Sequence, residues 1–314
     1  MKKQPLVSIV LTTFKRPDLI GEALNSIISQ TYSYWECIII DDNSNDNTNE
    51  IVSQIINKDN RFQFFVKPKG VKQGLPASRN FGIEKSRGDY LVFFDDDDII
   101  HPQLLEICIN EFSNDEKIEF VHYKKKNFEI SFEQILIKEI NNYRVIKLKD
   151  NIYEDVISAK LPIASCTVMW QIKYLKNNLF NENLMYAEEW ECYSRILIKH
   201  NLKGIKIDIP LYFSRKHKNS NTSEFHLNKI NRTNSYMLAH ELVSKTLLNN
   251  NKITDDLAYY LIRKSKKSNK LESKKIISIL KSKNFKYSLY HDFFSLKFDL
   301  KLFLRNMKHK FKLE

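Results

Sequence analysis

The sequence predicts an α/β protein built on a doubly wound sheet, and three observations carry that prediction. Short runs too apolar to keep one face in water, such as Leu6–Leu11, Cys37–Ile40 and Tyr90–Phe94, recur through the first hundred residues. Segments with helical spacing separate them. Each of these runs gives way to polar or acidic residues, at the carboxyl ends where open α/β sheets bind ligands.

Leu6–Val7–Ser8–Ile9–Val10–Leu11 reads as a strand covered on both faces, stopping at Thr12–Thr13–Phe14. Pro17 and Asp18 signal a helix whose Leu19, Ile20, Ala23, Leu24, Ile27 and Ile28 form one apolar stripe. Cys37–Ile40 is a second buried strand, ending at Asp41–Asp42–Asn43–Ser44, and residues 46–57 carry a second helix. Phe62–Val66 gives a third strand and Ala77–Lys85 a further helix. Tyr90–Phe94 then delivers four consecutive aspartates, Asp95–Asp98. Strands alternating with helices imply a parallel sheet. Four adjacent carboxylates raise one another's pKa values unless a metal ion, an arginine or bulk water compensates them.

The second half is less regular. Ser165–Trp170 resembles a strand, Ala187–His200 a helix, and Gly204–Pro210 a strand ended by its proline. Past residue 232 helical periodicity takes over. Leu289, Phe293, Leu296, Leu300, Phe303, Met307 and Phe311 recur in steps of three or four, with Lys297, Lys301, Arg305, Lys308 and Lys312 on another face, a basic amphipathic helix.

The 314 residues carry a formal net charge of +12, spread unevenly. Residues 252–314 hold 17 Lys/Arg against 6 Asp/Glu, while residues 1–251 hold 33 against 32. The tail is therefore the surface for an anionic partner. No nucleic-acid-reading module accompanies the charge, which leaves a membrane surface, packing on the body or a homodimer. Cys37, Cys108, Cys166 and Cys192 have neither CxxC spacing nor the density of a disulfide scaffold, so they read as buried thiols of a reducing, cytoplasmic compartment. The N-terminus lacks the features of a signal peptide, and no window is apolar enough to span a bilayer. The loop from Asp41 has neither glycine at the sixth position nor glutamate at the twelfth of an EF-hand. No GxGxxG or P-loop follows the first strand.

Taken together, Ser8–Phe14, Ile40–Ser44, Ala77–Ser78–Arg79–Asn80–Phe81–Gly82 and Asp95–Asp98 resemble, in order and spacing, the family 2 inverting glycosyltransferases over roughly residues 6–220. The resemblance implies a GT-A fold, a Rossmann-like doubly wound mixed sheet, with a helical basic C-terminal extension. It implies a catalytic domain at 1–231, its nucleotide-sugar half about 1–100 and its acceptor half about 101–231, and the extension at 232–314. Thr12, Phe14 and Asp42 would line the pocket for nucleobase and ribose, Phe14 having core packing as its alternative. Arg79 would lie near the nucleotide, its alternative a salt bridge on a helix surface.

The four aspartates correspond to the family's DxD motif, readable as Asp95/Asp97 or Asp96/Asp98. Aligned by the strand, Asp95 and Asp96 are nucleotide-side groups and Asp97 the ligand of Mn2+ or Mg2+, with Asp98 left open. Ala187–Glu188–Glu189–Trp190 resembles the family's Glu-Asp segment, with Glu where Asp is typical. Glu189 is the expected base and Glu188 its alternative; the other reading is that both complement a helix N-terminus. Trp190 would border the sugar cleft or sit in the core. Arg215 and His217 resemble a later Arg-x-His segment close to the diphosphate or metal. The expected activity is metal-dependent transfer of a hexose or N-acetylhexosamine from a UDP-sugar to a glycan or lipid-linked glycan in bacterial surface-polysaccharide synthesis, at the inner face of the cytoplasmic membrane. The alternatives are a GDP- or dTDP-sugar donor, or a non-catalytic scaffold.

Overall fold

The first two strands are mostly apolar along both faces, and the fold covers both. In the computed structural model, which describes residues 4–129, 138–216, 230–268 and 270–281, every residue of β1 (Val7–Thr13) and β2 (Trp35–Asp41) is buried. They pair in parallel from Val7↔Trp35 to Thr13↔Asp41. β3 (Phe62–Val66) extends the sheet beyond β2, and β4 (Tyr90–Asp95) returns to the other side of β1. Strand order therefore reverses at β1, β3-β2-β1-β4. Connections leaving a reversal point in opposite directions open a crevice at the carboxyl ends of its strands, and the register sets Thr12 beside Asp95 at that crevice.

Helices α1 (Pro17–Ile28) and α2 (Thr48–Ile56) follow the first two strands. Proline opens α1, where its missing N–H costs nothing, and Ile20, Ala23, Leu24 and Ile27 are buried. α3 (Leu75–Lys85) is different, because it buries Ser78, Arg79 and Asn80 beside Ala77, Gly82 and Ile83. Gly82 allows the close approach of α3 to the sheet, since a Cβ there would lie 2.3 Å from Val10 Cγ1.

The rest of the sheet is mixed. β8 (Val168–Gln171) runs antiparallel to both β4 and β6 (Phe120–Phe128), while β9 (Gly204–Arg215) lies parallel to β6. β5 (Ile99–Ile100) and β7 (Val145–Lys147) pair antiparallel with β9. The parallel pairing expected from strand–helix alternation holds for β1 to β4, where helices make the crossovers; antiparallel pairs need none. Two local readings are corrected. Ser165–Thr167 is a single 3-10 turn, so the strand begins at Val168. β9 does not stop at Pro210 but runs through it to Arg215, because register shifts opposite Tyr123–Lys125 accommodate the missing donor. That continuation carries Tyr212 and Arg215 to the acidic run.

Four further helices complete the body: α4 (Leu104–Asn114), α5 (Ile152–Ile157), α6 (Ile172–Lys176) and α7 (Glu188–His200). The four cysteines are buried and unpaired, as their spacing suggested. The chain divides into two compact units, Met1–Ser235 and Tyr236–Glu314. α8 (Ile230–Asn249) ends in the second, burying Val243, Ser244 and Leu247 there, and α9 (Asp255–Ser268) and α10 (Lys270–Lys281) follow. Leu257, Ala258, Leu261 and Ile262 of α9 and Ile276, Ile277 and Leu280 of α10 are buried at helical spacing. Among the described residues no helix is long and apolar enough to cross a membrane. The amphipathic segment 289–311 lies outside the described residues.

Candidate active site

The first strand–helix turns place one group of residues beside the crevice. Lys15 and Asn43, non-glycine residues just past β1 and β2, have φ of 54° and 62°, left-handed conformations that usually persist at functional loops. Between them the two adjacent aspartates divide. Asp41 turns back to accept the Ser44 N–H at 3.1 Å, closing its own loop. Asp42 points the other way: its Oδ2 accepts the Gly74 N–H at 2.8 Å and its Oδ1 is ion-paired with Lys67. Thr12 is buried, whereas Phe14 is 40% exposed, its ring lying outside the core with the Lys15 ammonium 5.2 Å from its centre.

The acidic run meets arginines. Asp96 and Asp97 are both ion-paired with Arg16, the former at 3.0 Å. Arg79 Nη2 stands 3.4 Å from Asp95. Asp98 Oδ1 accepts the Arg215 N–H at 2.8 Å, while Arg215 Nε donates to the Asp97 carbonyl and its guanidinium also pairs with Glu22 and lies over Phe128. Water is not the main compensation, since Asp96, Asp97 and Asp98 are 3, 9 and 5% exposed. Burial pushes the Asp96 carboxyl up to about 7 against the pull of Arg16. Burial, then the charges of Asp95 and Asp97, push Asp98 up to about 8. Asp95 is also raised, by desolvation first, with Arg79 opposing.

Such a cluster fits a cation. Oxygens of Asp95 and Asp98 and the Cys166 sulfur lie within 4.8 Å of one another. Hard divalent ions take carboxylate oxygens, and the Cys166 thiol, held well up by burial, is no donor for them. Asp97, expected as the ligand from its position after the strand, faces Arg16 in this arrangement. His217 lies outside the described residues. Because the folded state binds protons at Asp96 and Asp98 more tightly than the unfolded chain, their contribution to stability is present at acid pH and lost as pH rises through about 7 to 8. The melting temperature is expected to gain more from Mn2+ or Mg2+ at about pH 8.5 than at about pH 6; equal gains at both would show that the ion goes elsewhere.

A second carboxylate pair closes the site from the other half of the body. Ala187, at φ 61°, turns the chain into α7 so that Glu188 enters the interior, 7% exposed. Arg79 Nη1 reaches Glu188 Oε1 at 3.1 Å while Nη2 donates to Ser165 Oγ at 2.7 Å. Arg79 is thus a buried link between acidic run and α7, 3% exposed and not part of any surface salt bridge. Burial alone would lower its pKa; the charges of Asp95, Glu188 and Glu189 more than reverse that. Burial, then the charge of Glu189, push Glu188 up to about 8 against Arg79. The Glu188 carboxyl is thereby held above the usual carboxylate range, beside Glu189, with which it shares a hydrogen bond. Glu189 is half-buried. Trp190 donates its indole N–H to the Ile157 carbonyl at 3.3 Å, anchoring α7 to α5.

The structure therefore gathers Thr12, Arg79, Asp95, Asp96, Asp97, Arg215 and Glu188 into one network at the carboxyl ends of the strands, with Phe14 and Asp42 at the adjoining turns. Sequence reading missed Arg16, Lys67, Ser165 and Tyr212, whose hydroxyl meets the Asp95 N–H at 3.2 Å. It also missed the clasp of Asn80, whose amide exchanges hydrogen bonds of 2.9 and 3.0 Å with the Phe180 backbone and ties α3 to the segment leading into α7. None of these has a local signal, since each acts across tens of residues of sequence.

Comparison with known proteins gives the following. The Glycosyl transferase family 2 profile matches residues 8–172. An uncharacterized glycosyltransferase of Rickettsia felis is 31% identical over 211 residues, 65% of this chain and 33% of that protein. The chain spans about a third of the length of this and the next curated relatives. A Campylobacter jejuni GalNAc(5)-diNAcBac-PP-undecaprenol beta-1,3-glucosyltransferase is 29% identical over 59% of this chain and 57% of its own. Among solved structures, Staphylococcus aureus TarS 1–349 in complex with UDP-GlcNAc shares the fold at TM-score 0.63 and 17% identity, over 82% of this chain and 70% of TarS. The mannosyltransferase PcManGT of Pyrobaculum calidifontis, in complex with GDP-Man and Mn2+, matches at TM-score 0.55 and 13% identity, over 90% and 76%.

Proposed function

Because the chain belongs to glycosyl transferase family 2, we propose that it moves a hexose or N-acetylhexosamine from a UDP-sugar to a hydroxyl of a glycan or lipid-linked glycan, with inversion. The observation that carries this reading is the line of ion pairs from the partly exposed Asp95 through the buried Arg79 to the buried Glu188. It joins the carboxyl end of β4 to the start of α7, which supports an acidic run and the Glu188–Glu189 pair acting together.

In this reading the Phe14 ring and the Thr12 and Asp42 side chains hold the nucleoside, as an aromatic face and hydrogen-bonding groups at its mouth can. Asp97, with Asp95 and Asp98 beside it, would hold Mn2+ or Mg2+, which when bound neutralises charge on the leaving diphosphate. Asp96 stays on the nucleotide side. Glu189 accepts the proton of the acceptor hydroxyl as that oxygen attacks the anomeric carbon from the face opposite the leaving group. Glu188, fixed by Arg79, shares a proton with Glu189 and sets its direction. Arg215 draws the end of β9 onto the acidic run, on the diphosphate side.

The test is release of nucleoside diphosphate from a panel of UDP-, dTDP- and GDP-sugars, with Mn2+, Mg2+ or chelator, in wild type and Asp97→Ala, in the presence of glycan acceptors. Metal-dependent release from a UDP-sugar that Asp97→Ala abolishes is the expected result. Full turnover by Asp97→Ala would remove Asp97 from the metal set, and release from a GDP- or dTDP-sugar alone would change the donor class.

The acceptor reading is supported by the name of the Campylobacter relative, which acts on an undecaprenol-linked saccharide. A lipid-linked acceptor fits peripheral attachment at the inner face of the cytoplasmic membrane through the basic segment 289–311, each Lys/Arg near an anionic surface contributing about 1 kcal/mol. Deleting residues 285–314 is expected to abolish co-sedimentation with anionic vesicles. Undiminished co-sedimentation of the folded truncation would leave the segment to packing or dimerisation.

A further inference from the structure

We propose that Lys67 is a positioning residue that makes the nucleobase pocket choose bases presenting a ring N–H on their pairing edge, uracil, thymine or guanine, over cytosine. The inference rests on the reading of Asp42 as a nucleobase contact.

Lys67 follows the last residue of β3, and its side chain has no exposed surface. Lysines are almost never fully buried unless paired, and this one is paired completely. Its ammonium faces Asp42 Oδ1, donates to the Lys72 carbonyl at 2.7 Å and to Ser78 Oγ at 3.1 Å. An ammonium has three hydrogens, and all three have takers. The Lys67 backbone N–H donates to the Asp41 carbonyl at 2.9 Å, which fixes the base of the side chain against β2. One residue thus ties the end of β3, the loop through Lys72 and the first turn of α3 to a single carboxylate.

That carboxylate is held from both sides. Oδ1 belongs to Lys67, and Oδ2 accepts the N–H of Gly74, whose φ of 126° is a backbone conformation other residues rarely adopt. Asp42 keeps only a small opening, 7% of its surface. With Oδ1 buried and taken, Oδ2 is the oxygen that meets a ligand. Paired with an ammonium, Asp42 is an ionised carboxylate, a group that accepts and never donates. Uracil and thymine at N3 and guanine at N1 and N2 offer N–H donors to such an oxygen. Cytosine carries its N–H donors on the exocyclic N4 instead, and an oxygen set against ring position 3 meets a bare lone pair with no proton between them. A site built for one hydrogen-bond partner rejects the analogue lacking it more strongly than a shape-matched apolar pocket could.

Binding of UDP, dTDP, GDP and CDP to the full chain by calorimetry, with Mg2+, tests this without turnover. Wild type is expected to bind UDP at least about tenfold more tightly than CDP, and Lys67→Met to weaken UDP by about tenfold and bring the UDP-to-CDP ratio within about threefold of unity. A merely structural role would weaken both nucleotides together and leave their ratio alone. Should Lys67→Met fail to fold, the double variant Lys67→Met/Asp42→Asn removes both charges, and its amide can both accept and donate; its ratio is expected near unity. A wild-type ratio retained by the folded single or double variant overturns the proposal, as does wild-type CDP binding equal to that of UDP. Failure of all four nucleotides to bind wild type would instead overturn the pocket reading of Asp42, and this inference with it.

Discussion

Replacing Arg79 with methionine is expected to abolish sugar transfer and to lower stability by about 3–5 kcal/mol, the usual consequence of removing one partner from a buried charge group. The guanidinium is 3% exposed and serves Glu188, Asp95 and Ser165 at once. Without it two carboxyls already raised by burial lose their nearest cation, and protonation must replace the ion pairs. Arg79→Lys separates charge from geometry. A point charge on a flexible stem cannot span Glu188 on one nitrogen and Asp95 with Ser165 on another, so part of the stability is expected to return without the activity. Urea unfolding and nucleotide release measure the two effects. An Arg79→Met protein unfolding at the parental urea concentration would show that this link contributes nothing to the fold.

Glu189→Gln is expected to lower kcat by about 10²- to 10⁴-fold, the range for loss of a general base, with donor affinity and melting temperature nearly unchanged. Glu189 is half-buried, whereas Glu188 is enclosed against Arg79. Glu188→Gln keeps a hydrogen-bonding group on Arg79 and leaves Glu189 in place, so its kcat loss is expected to be the smaller. Single-turnover rates of the two variants separate the roles. The reverse order of losses would make Glu188 the base, the alternative the sequence left open.

Local chemistry accounts for what the sequence alone determined. β1, β2 and β4 were legible because strands buried on both faces must be continuously apolar, and α1 because its core stripe repeats at helical spacing. Thr12 and Asp95–Asp98 were legible as candidates because each terminates such a strand. The family resemblance added roles to residues whose types already suited them.

What only the tertiary structure decided are the pairings between residues far apart in the chain. β6 was hidden because its buried Phe120–Tyr123 runs into exposed Lys124–Lys126, which breaks any pattern a strand would show. β9 continues past Pro210 only because β6 shifts register to accommodate it. The aspartates after β4 look equivalent in sequence, yet Asp96 and Asp97 face Arg16 while Asp95 faces Arg79 and Asp98 receives the Arg215 N–H. Lys67 and Arg79 are two of 50 basic residues, and nothing within a few positions marks them for burial. A charge moves inside only where folding brings its counter-charge, and Asp42, 25 residues from Lys67, and Glu188, 109 from Arg79, are neighbours in space and not in sequence.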